Sequence, residues 1–166
     1  MGKVVFKLGN DISTDVIYPG RFLATELPSE TPPFAFADDA DFNTKLNQGQ
    51  VLAGSFIVAG ENFGCGSSRE QAASTLEGHQ LVVVARSFAR IYLQNAINLG
   101  AKVVTCETIE ASEGDELAIE ADSLLNKTTG ARFPIQPPPE SRQAIIDAGG
   151  LIAYTRQRML EEHRSK

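Results

Sequence analysis

The sequence predicts an α/β fold: a mainly parallel sheet with an added β-layer. Two observations predict it. Between residues 54 and 106, short apolar runs alternate with helix-length segments, giving strand, helix, strand, helix, strand. That alternation marks βαβ units, whose strands run parallel and whose crossovers are right-handed. After residue 106 the pattern changes. Residues 117–120 and 132–135 flank a turn-rich stretch at 126–130, which reads as an antiparallel hairpin. A symmetric doubly wound sheet is therefore not expected.

In chain order, residues 4–8 read as a strand and residues 9–15 as a polar turn, followed by the apolar run 16–18 closed by Pro19-Gly20. Residues 24–50 contain Pro28, Pro32 and Pro33 and few periodic apolar positions, so they read as a long, partly ordered loop insertion with a short helix near 39–46. Residues 54–59 form an apolar strand running into a glycine loop, 60–66. A helix is expected over 67–77, ended by Gly78, and then a strand at 81–85 that is apolar on both faces. Ser87 is placed to cap a helix over 88–99, where Phe88, Ile91, Tyr92, Ala96 and Leu99 hold helical spacing; Gly100 suits its C-terminal turn. Residues 102–106 make the third strand of the series. Pro137-Pro138-Pro139 breaks the chain before a last helix that starts near 140 and is interrupted by Gly149-Gly150. Residues 1–166 are read as a single domain.

Composition narrows the function. The 166 residues carry 15 basic and 21 acidic side chains, a formal charge of −6, with 42% hydrophobic and 22% charged residues. That is an ordinary globular mixture without the basic footprint of nucleic-acid or anionic-membrane binding. No apolar stretch approaches the ~20 residues of a membrane helix, and the N-terminal segment lacks a signal-peptide pattern, so the cytoplasm is expected. Two cysteines, Cys65 and Cys106, are too few for an iron–sulfur cluster, and with His79 and His163 they form no zinc-type spacing. No metal ligand set is expected on this chain.

The chemistry concentrates in Gly64-Cys65-Gly66-Ser67-Ser68-Arg69-Glu70, at a strand-to-helix junction. Glycines there permit positive φ and close approach of a ligand. The first N–H groups of the following helix lack intrahelical partners and favour an anion. Arg69 adds a planar fork that can grip a carboxylate in two places. The same letters also fit a helix start: Ser67 with Glu70 is a capping-box pair, and Ser68 with Gln71 is a second. From the residues alone, anion cradle and capped helix both stand. The pattern is not a dinucleotide fingerprint, since Arg69 occupies the place of the third glycine, and no P-loop lysine follows.

Residues 60–72 (GENFGCGSSREQA), with 85–92 (ARSFARIY) and 95–100 (NAINLG), closely resemble the aconitase swivel domain, and within that superfamily the free-standing small subunits of 3-isopropylmalate dehydratase and homoaconitase. The resemblance extends to 11–23 (DISTDVIYPGRFL) and to the double glycine at 148–152. It implies a swivelling β/β/α domain that works with a separate large subunit carrying a 4Fe–4S cluster, with no cofactor on this chain. It implies Ser67 as the catalytic base, Gly66, Ser68 and Arg69 as substrate-carboxylate binders, Arg21 as a substrate contact, and Thr14 and Asp15 as supports. The implied reaction is dehydration and rehydration of a hydroxy di- or tricarboxylate. 2-Isopropylmalate and 3-isopropylmalate are the default substrates; homoaconitate, dimethylmalate or methylmalate types are the alternatives, as is a non-catalytic binding module on the same fold. Gln71 stands where the family commonly has histidine, and Phe22-Leu23 where it often has Tyr-Leu. Arg86 and Arg90, flanking a helix start, read as a solvated face, with support of the site or a subunit interface as the alternatives.

Overall fold

The structure, a computed structural model, describes residues 1–25 and 27–164. The apolar runs form the parallel half of a seven-stranded sheet ordered β4-β3-β2-β1-β5-β6-β7. Its strands are β1 (Gly2–Lys7), β2 (Phe56–Ala59), β3 (Val82–Ala85) and β4 (Lys102–Thr105). Registers run Phe56↔Val82 to Ala59↔Ala85 and Val82↔Lys102 to Ala85↔Thr105, all parallel. Every residue of β2 and β3 is buried, because both faces are covered. Ile57, Ala59, Val83 and Ala85 point toward α3 (Glu70–Gly78) and α4 (Arg90–Leu99); Phe56, Val58, Val82 and Val84 point the other way into a second cluster.

That second cluster is closed by β5 (Glu116–Ile119), β6 (Ser123–Asn126) and β7 (Arg132–Pro134). β5 joins β1 antiparallel through Gly2↔Leu117 and Lys3↔Glu116, and an isolated bridge Thr105↔Gln136 ties the far edge at β4 to the chain beyond β7. The meander thus curls over the outer face, where Leu117 and Leu124 pack on Val4, Phe56 and Val82. The added β-layer is a continuation of the same sheet. It also holds three strands rather than the expected hairpin, since 123–126 pairs on both sides. Asn126 reads as a turn residue, yet it is fully buried at a strand end. Its Nδ2 donates to Asp115, and its Oδ1 accepts from the Thr128 and Thr129 amides.

Residues 24–50 are packed rather than loose; Glu26 lies outside the described residues. Two 3₁₀ turns, Pro28–Glu30 and Pro32–Phe34, start on prolines whose fixed φ suits a first helical position. α2 (Ala40–Asn47) is capped by Asp39, which accepts from the Phe42 amide at 2.9 Å. Phe36 and Phe42 bury themselves on Phe6, with ring centroids 5.3 and 4.1 Å away. Thr31 pins the segment to α3 through Ser74 at 2.7 Å, and Thr75 donates to its carbonyl at 2.9 Å.

Both helix starts come later than expected. α3 opens with Arg69 at its N-cap and α4 with Ala89, and neither has a side-chain cap. Ser87 accepts from the Asn62 amide instead, and Gln71 donates to the Thr25 carbonyl. The capping readings of Ser67, Ser68, Ser87 and Gln71 are therefore corrected: Ser87 and Gln71 bond to other segments instead, and Ser67 and Ser68 lie before the Arg69 N-cap. Residues 13–17, read as the end of a polar turn and the start of a short apolar run, form the short α1 (Thr14–Ile17), where Ser13 caps the Val16 amide. α5 (Glu140–Asp147) and α6 (Leu151–Arg164) close the chain on either side of Gly149-Gly150.

Candidate active site

Three segments leave the carboxyl ends of β1, β2 and β3 and are laced together, the usual place for a ligand in sheets of this kind. The Gly64 amide donates to the Ile12 carbonyl at 2.7 Å and the Thr14 amide to the Cys65 carbonyl at 2.8 Å. The Phe63 amide donates to Ser87 at 3.0 Å, and the Ala89 amide to Phe63 at 2.9 Å. Asn62, in left-handed conformation, reaches Asp11 with its Nδ2 at 2.8 Å. The glycine turn is held between its two neighbours.

What it presents is an open edge. Gly66, Ser67 and Ser68 are exposed and line a cleft of about 240 Å³ with Thr14, Gly64, Arg69 and residues 89–92. The buried Thr14 hydroxyl donates to the Ser67 carbonyl at 2.9 Å, which fixes the backbone of the turn. Neither the Ser67 nor the Ser68 hydroxyl has a hydrogen-bond partner among the described residues. Released from capping, Ser67 is free to meet a ligand.

Arg69 is turned inward, its side chain only 11% exposed. Its Nη1 pairs with Asp15 and donates to the Tyr18 carbonyl at 3.1 Å. Gly20 leaves room for the guanidinium, 3.4 Å from where a β-carbon would sit. The hydrogen bond from Arg69 holds the Asp15 carboxyl below its ordinary range, despite some desolvation, so the pair is ionised and neutral overall. The Arg69 Nε is buried without a hydrogen-bond partner among the described residues. A buried unpaired donor costs about 1–3 kcal/mol, more on a charged group, so this arrangement is primed to accept an acceptor oxygen. Arg21 stands apart from the cleft, in an ion pair with Asp38 at 2.7 Å and 4.6 Å over the Phe22 ring. Arg90, read as a solvated face, is exposed and also borders the cleft. The signal that would have found it is its place at the start of α4, beside Ala89, which bonds back to the glycine loop.

The model of the aconitase C-terminal domain matches residues 10–108, from the first turn through β4. The chain belongs to this family. The small subunit 1 of 3-isopropylmalate dehydratase from Archaeoglobus fulgidus is 41% identical over 160 residues, covering 94% of this chain and 96% of that one. The 2,3-dimethylmalate dehydratase small subunit of Eubacterium barkeri is 44% identical, covering 90% and 93%. The crystal structure of 3-isopropylmalate dehydratase (leuD) from Methanocaldococcus jannaschii superposes with a TM-score of 0.89 at 36% identity, over 99% of this chain and 98% of that one. The Archaeoglobus fulgidus and Eubacterium barkeri relatives are named small subunits, a name that implies a large-subunit partner for them. The family's mixed α/β fold with a curled sheet is the one seen here.

Among the described residues no three His, Cys, Asp or Glu side chains converge on a common point. Cys106 is fully buried, its Sγ 3.4 Å from the Pro134 carbonyl, while Cys65 lies half-buried in the glycine turn. This donor set does not fit an iron–sulfur cluster. No described helix is long and apolar enough to cross a membrane.

Proposed function

We propose that this chain is the small subunit of a 3-isopropylmalate dehydratase, interconverting 2-isopropylmalate and 3-isopropylmalate by removal and readdition of water in leucine biosynthesis. The observation that carries the reading is the exposed Ser67 hydroxyl, unpartnered among the described residues, on a backbone held by Thr14, in a cleft shared with Ser68 and two arginines. Ser67, as its alkoxide, takes the proton from the carbon next to a carboxylate. A serine hydroxyl is a weak base at its free pKa, so surrounding N–H groups and guanidinium charge must stabilise the anion. Gly66, Ser68 and Arg69 hold the carboxylate. For Arg69 this requires its unbonded Nε, or an exchange of Asp15 for substrate. Thr14 and Asp15 orient the turn and the guanidinium. Arg21 reads the variable substituent from the neighbouring loop. The 4Fe–4S cluster expected on the large subunit supplies Lewis-acid chemistry at the substrate's hydroxyl and carboxylate.

Reconstitution with a cluster-bearing large subunit, followed by the ultraviolet absorbance of the alkene, tests this. Ser67→Ala is expected to lower turnover by about 10²–10⁴-fold, the range for a general base, with subunit assembly intact. Near-wild-type turnover in that variant refutes the base assignment. The 44% identity to a 2,3-dimethylmalate dehydratase subunit supports a second reading of the substrate; kcat/KM measured on both hydroxy acids decides between them.

A further inference from the structure

The two arginines on the wall of the Ser67 cleft differ in what holds them. Arg69 comes with Asp15, so the pair brings no net charge. Arg90, the first residue of α4, is exposed and has neither ion pair nor side-chain hydrogen bond among the described residues. It stands on the same wall as the uncapped start of α4, whose first amides follow Ala89. A hydroxy dicarboxylate brings two negative charges into a protein whose formal charge is −6. Moving such a dianion out of water requires matching local cations. The cleft's uncompensated guanidinium is Arg90.

Resting on the reading of this cleft as the dehydratase site, we infer that Arg90 binds a carboxylate of the substrate from the α4 side of the cleft, as a second cation beside Arg69. Arg90 is then a substrate-positioning group for the dianion rather than part of a solvated face. It takes no part in proton transfer, so its loss acts on binding.

The test uses the holoenzyme reconstituted with its large subunit. Arg90→Gln is expected to raise KM by about 10–100-fold, the scale of a charge-assisted hydrogen bond, with kcat within about threefold by the same argument that uniform binding sets KM. Arg90→Lys recovers part of the loss. A dicarboxylate competitive inhibitor weakens with KM in Arg90→Gln, whereas its half-ester, lacking one charge, does not. Arg86→Gln, on an exposed arginine that lines a different cavity, leaves all values unchanged. An unchanged KM in Arg90→Gln overturns the inference; so does equal weakening of both inhibitors, or loss of subunit association on gel filtration. Those failures leave the Ser67 reading standing, since that reading fails separately, if Ser67→Ala stays active.

Discussion

Gly64 opens the turn that carries Ser67, at φ +81°, with its α-carbon against the buried Tyr92 ring. A β-carbon there would lie 2.2 Å from Tyr92 Cγ, 2.4 Å from Cβ and 2.6 Å from Cδ2. Carbon–carbon contacts are comfortable near 3.5–4.0 Å, so more than an ångström of movement is demanded of a ring packed edge-on against Phe63 and stacked on Phe88. Two costs add for Gly64→Ala: about 1–3 kcal/mol for a side chain in the left-handed region and about 1–3 kcal/mol for overpacking. The sum, about 2–6 kcal/mol, is a large part of a typical domain's 5–15 kcal/mol. Gly66 has a similar φ, +89°, but its added β-carbon would meet nothing closer than 3.7 Å, and Gly130, at φ +79°, meets nothing within 4 Å. Alanine at either pays the backbone term alone. Urea unfolding of the three variants at constant m-value separates the terms. If Gly64→Ala is no more destabilising than Gly66→Ala and Gly130→Ala, the close approach to Tyr92 does not constrain the turn.

Phe36→Ala is expected to cost about 3–5 kcal/mol, as for a buried aromatic, because the ring is 1% exposed between Phe6 and Phe42; an effect below about 1 kcal/mol by denaturant titration would make residues 24–50 peripheral after all. Asp15→Asn tests the ion pair through pH. The native carboxyl is held low by Arg69, so its stabilisation is fully present above the unfolded carboxylate value of about 3.9 and is lost as pH falls through the native value. The stability gap between wild type and Asp15→Asn should therefore be level near neutrality and close in acid; a gap that widens below pH ~4 has the wrong sign. Burial raises the Cys106 thiol, so a thiol reagent should label half-buried Cys65 in the native protein and Cys106 only on unfolding; mass-mapped labelling of native Cys106 would contradict the packing.

The parallel strands were legible because β2 and β3 are buried on both faces and so read as continuous apolar runs. Gly100 was legible as a helix end because its left-handed conformation is local. The third meander strand was hidden by Asn126, a turn-type residue whose burial depends on Asp115 and the Thr128 and Thr129 amides. Residues 24–50 showed no period because prolines and 3₁₀ turns, not a regular face, bring Phe36 and Phe42 to the sheet. In the site, the junction offered Ser67, Ser68 and Arg69 either as an anion cradle or as a capped helix start, and the family resemblance favoured the cradle; Arg90 was read as surface and is exposed, at the edge of the cleft.

By itself, the amino-acid order determined the βαβ framework, the glycine turn and the residue types offered there, since these follow from periodicity and backbone preference over a few neighbours. Only the tertiary structure decided that Ser67 is freed from capping, that Arg69 is bound to Asp15 54 positions away in the chain, and that Arg90 shares its cleft. Hydrogen bonds and ion pairs choose partners by distance in space, and β1, β2 and β3 bring those partners together only once their sheet has formed.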